Sequence, residues 1–166
     1  RLGEQSLADV GLISSIYIFY FTVVYGLLSG AASLASQSMG EGDVKKLNAI
    51  RGNSLCLAMV FAVIGLIAMG IFSSKYPRLN YLLFFQFSII PHYLFASMRE
   101  IAGASLKIKS LTAIIFGGII LNVISNQIFI FNFNMGSQGA GLATLITRSL
   151  MFLGLFHYKG TRFSFD

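Results

Sequence analysis

Long uncharged stretches, cut by short charged ones, organise this chain. No charged residue occurs from Val10 to Gly40, from Gly52 to Ser74, from Leu79 to Met98, or from Ser110 to Thr147. Between them lie GEGDVKKLNAIR, KYPR (Lys75 to Arg78) and a basic stretch with Arg99, Lys107 and Lys109. The runs are continuously apolar rather than alternating, which excludes the strands of a membrane barrel. A helix rises ~1.5 Å per residue, so about 20 residues cross a ~30 Å hydrocarbon core. Ser110–Thr147 is too long for one crossing, and NFNMGSQGAG (Asn132 to Gly141) breaks it. The pattern predicts an all-α polytopic membrane protein, one membrane domain over residues 1–166. Its five helices fall at about 8–39, 46–73, 79–106, 111–131 and 138–158. Asp43 is placed to cap the second helix. Pro77, in KYPR, marks a break.

Composition agrees. Hydrophobic types make up 55% of the 166 residues and charged types 11%; mean hydropathy is +0.76. Soluble domains carry about 25% charged residues. Too little polar surface exists here for a soluble enzyme, a secreted disulfide scaffold, a disordered chain or a fibrous repeat. Cys56 is the single cysteine, so no disulfide forms within the chain.

The net charge of +6 does not point to nucleic acid, because the basic residues sit between apolar runs rather than on one solvated face. They read as topology signals. Lys45, Lys46, Arg51, Arg99, Lys107, Lys109, Lys159 and Arg162 fall on one side; Arg1, Lys75 and Arg78 fall on the other. The richer side is expected in the cytoplasm. The N-terminus would then lie outside. With Arg1 as the first residue, this raises the expectation of a missing preceding helix.

No catalytic constellation is present. His92 and His157 lack ligand-spaced companions, and there is no HExxH, zinc-type cysteine pair or phosphate-binding GxxxxGK[ST]. The informative residues are polar ones inside apolar runs. Asn122 and Asn126 share a helix face, with Ser125 adjacent, and Thr144 and Arg148 share a face of the next helix. An arginine inside a membrane helix marks a functional site by default. The other reading is that this cluster only glues two helices together. Gly26 and Gly30 form a GxxxG suited to close helix packing. Gln37 could cap its helix, bond a neighbour or face a cavity. Pro91 removes a backbone bond and predicts a kink, either structural or functional.

The segment LADVGLISSIYIFYFTVVYGLLSGAASLASQSMGEGD resembles the second helix and following loop of multidrug and toxic compound extrusion (MATE) transporters. Arg1-Leu2-Gly3 resembles the link that precedes it. YLLFFQFSIIP and MREIAGASLK resemble the fourth helix, with Tyr81, Pro91 and Arg99 as its framework. LNVISNQIFIF resembles the fifth helix, and GSQGAGLATLITR the start of the sixth. The resemblance implies helices 2 to 6 of the N-terminal lobe of a two-lobed carrier. The implied activity is cation-coupled export: Na+ or H+ enters while small organic compounds, often cationic, leave. The implied setting is a multi-pass protein of the cell membrane, the bacterial inner membrane, in contact with lipid. The first helix and the second lobe would be its partners, with no cofactor beyond the coupling ion. Asn122, Asn126 and Thr144 fall on an ion site of some members, where the second of the three is an aspartate. An amide offers its carbonyl to sodium but releases no proton. Arg148 opposes a cation nearby, by roughly 3 kcal/mol at ~6 Å and an effective dielectric near 20. The loop Ser73–Asn80 is shorter than the family's, and no second repeat is present. Two other readings remain: a non-transporting truncated remnant or assembly partner, and a lipid-linked sugar flippase of the wider superfamily.

Overall fold

The structure, a computed structural model, describes residues 4–75, 81–104 and 108–157, and no side chains for 5–7 and 83. Helix α1 runs Glu4–Glu41 and α2 Val44–Lys75. A short α3, Leu82–Phe85, passes through a tight 3-10 turn, Gln86–Ser88, into α4, Ile89–Ala104. Helix α5, Ile108–Asn126, continues through a wide π turn, Gln127–Asn132, and α6 spans Gly136–His157. Over the described residues each of the five expected crossings is helical, save Tyr81 near the start of the third. Ala8–Glu41, Val44–Lys75, Ile108–Asn132 and Gly136–His157 are each long and apolar enough to cross a membrane unbroken.

The helix expected at about 79–106, with a kink from Pro91, is helical over its described residues 82–104 and passes through a 3-10 turn at Gln86–Ser88. Pro91 explains this. A proline cannot donate to the carbonyl four residues earlier and its ring crowds that carbonyl. The irregular turn therefore lies just upstream, at Gln86–Ser88, and Pro91 sits in the first turn of α4, where no N–H is needed. The break at KYPR lies largely outside the described residues. The last turn is tighter than expected: α6 already starts at Gly136, after Asn134 and with Gly136 itself at positive φ.

The corner between α1 and α2 follows from local chemistry. Gly42 takes φ +70, and the N–H groups of Gly42 and Asp43 donate to the carbonyls of Met39 and Ser38. These bonds close the last turn of α1. Asp43 then caps α2 as expected, accepting the Lys46 N–H at 2.9 Å.

Helices α1, α2 and α4 form the main core. Ile13, Tyr17, Val24 and Leu28 of α1 recur at helical spacing and meet Ala58 and Ala62 of α2 and Ile89, Tyr93 and Ala96 of α4. The close-packing face is not Gly26 and Gly30, which have nothing within 4 Å among the described residues. It is the stripe Ser54, Ala58, Ala62, Gly65 and Met69 on α2. A Cβ on Gly65 would lie 2.8 Å from Tyr20 Cε1. Ser54 and Ser97 bond across this contact at 2.7 Å. A smaller cluster, Phe95, Met98, Ala102 and Leu155, joins α4 to α6, with α5 packed against it. Large apolar side chains such as Phe19, Val60 and Phe116 point outward, as lipid contact requires.

Candidate functional site

Helix α1 and the α5–α6 pair are packed on α4 and leave a cavity of ≈ 610 Å³ between them. Tyr17 and Phe21 line it from α1, His92 and Arg99 from α4, Asn122 from α5, and Thr144, Thr147 and Arg148 from α6. Two close backbone approaches hold α6 in place. A Cβ at Gly139 would lie 2.9 Å from the Phe129 carbonyl, and one at Gly141 2.6 Å from the Tyr81 carbonyl oxygen. Only glycine fits either position, which gives the GSQGAG segment a physical reason.

Arg148 is the centre of the cavity wall. Its guanidinium lies 4.8 Å over the Tyr17 ring and 5.1 Å from the Phe85 ring centre. The two rings meet edge to face at 5.0 Å. One Arg148 N–H donates to Ser88 Oγ at 2.8 Å, and Ser88 donates in turn to the Phe85 carbonyl at 2.6 Å. Ser88 belongs to the turn upstream of Pro91, so the helix break supplies the hydroxyl that the arginine uses.

Arg99 has a different setting. Its Nε and Nη2 donate to Glu100 Oε1 at 3.3 and 3.1 Å, and Tyr25 donates to the same oxygen at 2.7 Å. The guanidinium also stacks 4.9 Å over the Tyr25 ring.

The expected polar cluster forms, with one substitution. Asn126 Nδ2 donates to Asn122 Oδ1 at 2.9 Å, and Asn122 Nδ2 reaches Thr147 Oγ1 at 3.5 Å. Thr144 instead turns back on its own helix, donating to the Ala140 carbonyl at 2.9 Å. Asn122, Thr144 and Arg148 face the cavity together; Asn126 stands behind Asn122 rather than in the wall. Gln37 is exposed near the end of α1, outside the cavity. Pro91 acts through the helix break, while its neighbour His92 faces the cavity.

Sequence reasoning missed Tyr17, Phe85, Ser88, His92 and Thr147. His92 had been set aside for want of ligand-spaced companions. A signal for the aromatic wall was present: Ser14, Tyr17, Ile18 and Phe21 sit at helical spacing on one face of α1 and all line the cavity.

Comparison with known proteins bears on what this cavity belongs to. The MatE family model matches residues 1–128. The chain belongs to the MatE family. The match includes Asn122 and Asn126 and ends before Thr144 and Arg148. Similar proteins include the probable multidrug resistance protein NorM of Synechococcus sp., 23% identical over 95% of this chain and 37% of its own length. The probable NorM of Idiomarina loihiensis is 29% identical over 97% of this chain and 38% of its length. A solved structure, an inward-facing multidrug resistance MATE family transporter of the MOP superfamily, superposes with a TM-score of 0.84 at 21% identity. It covers 93% of this chain and 38% of that one, and it establishes the fold. The chain thus spans somewhat over a third of the length of these relatives. Family membership and four helices long and apolar enough to cross a membrane agree on a multi-pass membrane protein.

Proposed function

We propose that this chain supplies helices 2 to 6 of the N-terminal lobe of a carrier that exports small organic compounds in exchange for Na+ or H+. The observation that carries this is the aromatic and polar cavity between α1 and the α5–α6 pair. Cavities of about 300–1,000 Å³ suit drug-sized molecules. A carrier of this kind alternates access by moving two lobes about a central site. The chain is therefore expected to work with a first helix and a second lobe, and not to transport alone.

In this arrangement Asn126 donates to Asn122 and Asn122 to Thr147, a chain of bonds that links α5 to α6. Among the described residues lining the cavity there is no carboxylate. A coupling cation at Asn122, Asn126 and Thr144 would need the Asn126–Asn122 bond to open and a negative charge from elsewhere in the carrier. Hard cations take oxygen ligands, so Asn126→Asp is expected to create or strengthen sodium-dependent binding there. Unchanged cation dependence in that variant would assign the cluster to helix packing.

The test of the function is efflux of a fluorescent aromatic carboxylic acid, norfloxacin, from cells expressing the complete reading frame. Its accumulation is expected to fall, and the effect to vanish when Na+ and pH gradients are collapsed. Accumulation that ignores expression and gradients would refute the proposal.

A further inference from the structure

We infer that the cavity recognises the carboxylate of an aromatic organic acid, with Arg148 as the binding cation; this deepens, and rests on, the exporter reading above. Arg148 is a permanent charge in the wall of a membrane-embedded cavity. Among the described residues it meets no carboxylate, whereas Arg99 has Glu100. Its bonded partner is a neutral serine hydroxyl, and rings cover its faces. A guanidinium carries five N–H donors in a planar fork that matches a carboxylate. A charge in this setting is retained where it meets an opposite charge.

The surroundings point to the same ligand. Tyr17 is 3% exposed, lines the cavity, and its hydroxyl has no hydrogen-bond partner. His92, also in the wall, has an unpartnered Nδ1. Buried polar atoms are normally bonded. A carboxylate accepts several hydrogen bonds at once, so it can take the arginine fork and a phenol O–H together. An ammonium group can do neither. No carboxylate lines the cavity among the described residues, so none there repels an anion or pairs with an organic cation. Phe21 and His92 pack edge to face at 4.5 Å, and with Phe85 and Phe95 they supply ring surfaces for an aromatic body.

The carboxylate could be a free acid or a side chain from another part of the carrier. The cavity of ≈ 610 Å³ has room for a molecule rather than one side-chain head, and we assign it to a free acid.

Three probes of nearly equal shape isolate the charge: benzoate, benzamide and benzylammonium. Their binding is measured by scintillation proximity on the complete carrier in nanodiscs. Wild type is expected to prefer benzoate over either of the others by about tenfold or more, the scale of one charge-assisted hydrogen-bond pair. Arg148→Gln is expected to bring benzoate level with benzamide. Arg148→Lys keeps the charge without the fork and is expected to leave an intermediate preference. The readout is the ratio within each variant, so partial loss of folded protein does not distort it. Equal binding of the three by wild type would overturn the assignment, as it would if a side-chain carboxylate already occupies Arg148. A benzoate preference that survives Arg148→Gln would overturn it too. Benzamide bound without preference would leave the exporter cavity intact; no binding of any probe would remove that reading as well.

Discussion

Arg99 and Arg148 line the same cavity and differ in how their charge is held. Arg99 is neutralised within its own helix: Glu100 takes two of its N–H groups and Tyr25 adds a third bond to the same oxygen. Arg148 is held by a hydroxyl and two rings drawn from α1, α3 and the turn before α4. The first arrangement is complete as it stands. The second fixes a guanidinium in place without cancelling its charge. On the assignment proposed above, the difference separates a structural charge from one available to a ligand, and it makes opposite predictions for stability.

The largest effect is expected where the backbone of α6 itself is displaced. Gly141→Val would drive a side chain into the Tyr81 carbonyl, with the Cβ alone already at 2.6 Å. Overpacking against backbone is expected to cost about 3 kcal/mol or more. It should pull Arg148 away from Tyr17 and Phe85 while sparing the Arg99–Glu100 pair on α4. Size-exclusion chromatography after a heat ramp in detergent reports it; an unchanged melting temperature would show that α6 is not held by this contact.

Next comes Glu100→Gln. Breaking a fully buried pair costs about 3–5 kcal/mol because it leaves a lone charge. The Arg99 and Glu100 side chains are 30% and 15% exposed, so about 2 kcal/mol is expected after solvent screening. The double variant with Arg99→Gln should recover part of the loss, since no stranded charge remains. Arg148→Gln is expected to do the reverse. It removes a charge with no carboxylate partner among the described residues, so its melting temperature should match or exceed wild type while ligand binding suffers, as sites that trade stability for function do. A loss as large as that of Glu100→Gln would erase the distinction between the two arginines.

Much of the fold was legible because membrane physics writes it in a simple code. Uncharged runs of helical length marked the helices, four of which are long and apolar enough to cross a membrane, and Gly42 with Asp43 marked a corner whose bonds the structure shows. The Asn122–Asn126 pair was legible for the same reason: four residues apart on a helix means side by side. What the sequence hid is how one helix is rotated against another. That rotation puts Thr147 rather than Thr144 against Asn122, and outward-facing glycines on α1 where the GxxxG suggested a contact. The cage around Arg148 was hidden more deeply, since Tyr17, Phe85 and Ser88 lie 131, 63 and 60 positions away along the chain. Pro91 announced a break, but the proline acts on the turn before it, so the residue it sets against Arg148 is Ser88.

The smallest expected effect is the most discriminating for the cage. Tyr17→Phe removes only a hydroxyl that has no partner, and keeps the ring under Arg148. A bonded buried hydroxyl contributes about 1 kcal/mol; this one should contribute less than about 0.5 kcal/mol, and its loss could even stabilise. Tyr17→Leu removes the ring as well and should cost about 1 kcal/mol more through the lost cation–π contact. If the hydroxyl serves a ligand, the two readouts part: Tyr17→Phe leaves the melting temperature of the empty carrier unchanged but lowers the extra stabilisation that benzoate confers. If Tyr17→Phe instead destabilises the empty carrier as much as Tyr17→Leu, the hydroxyl is a structural bond of the cage and the comparison between the two arginines narrows to Glu100 alone.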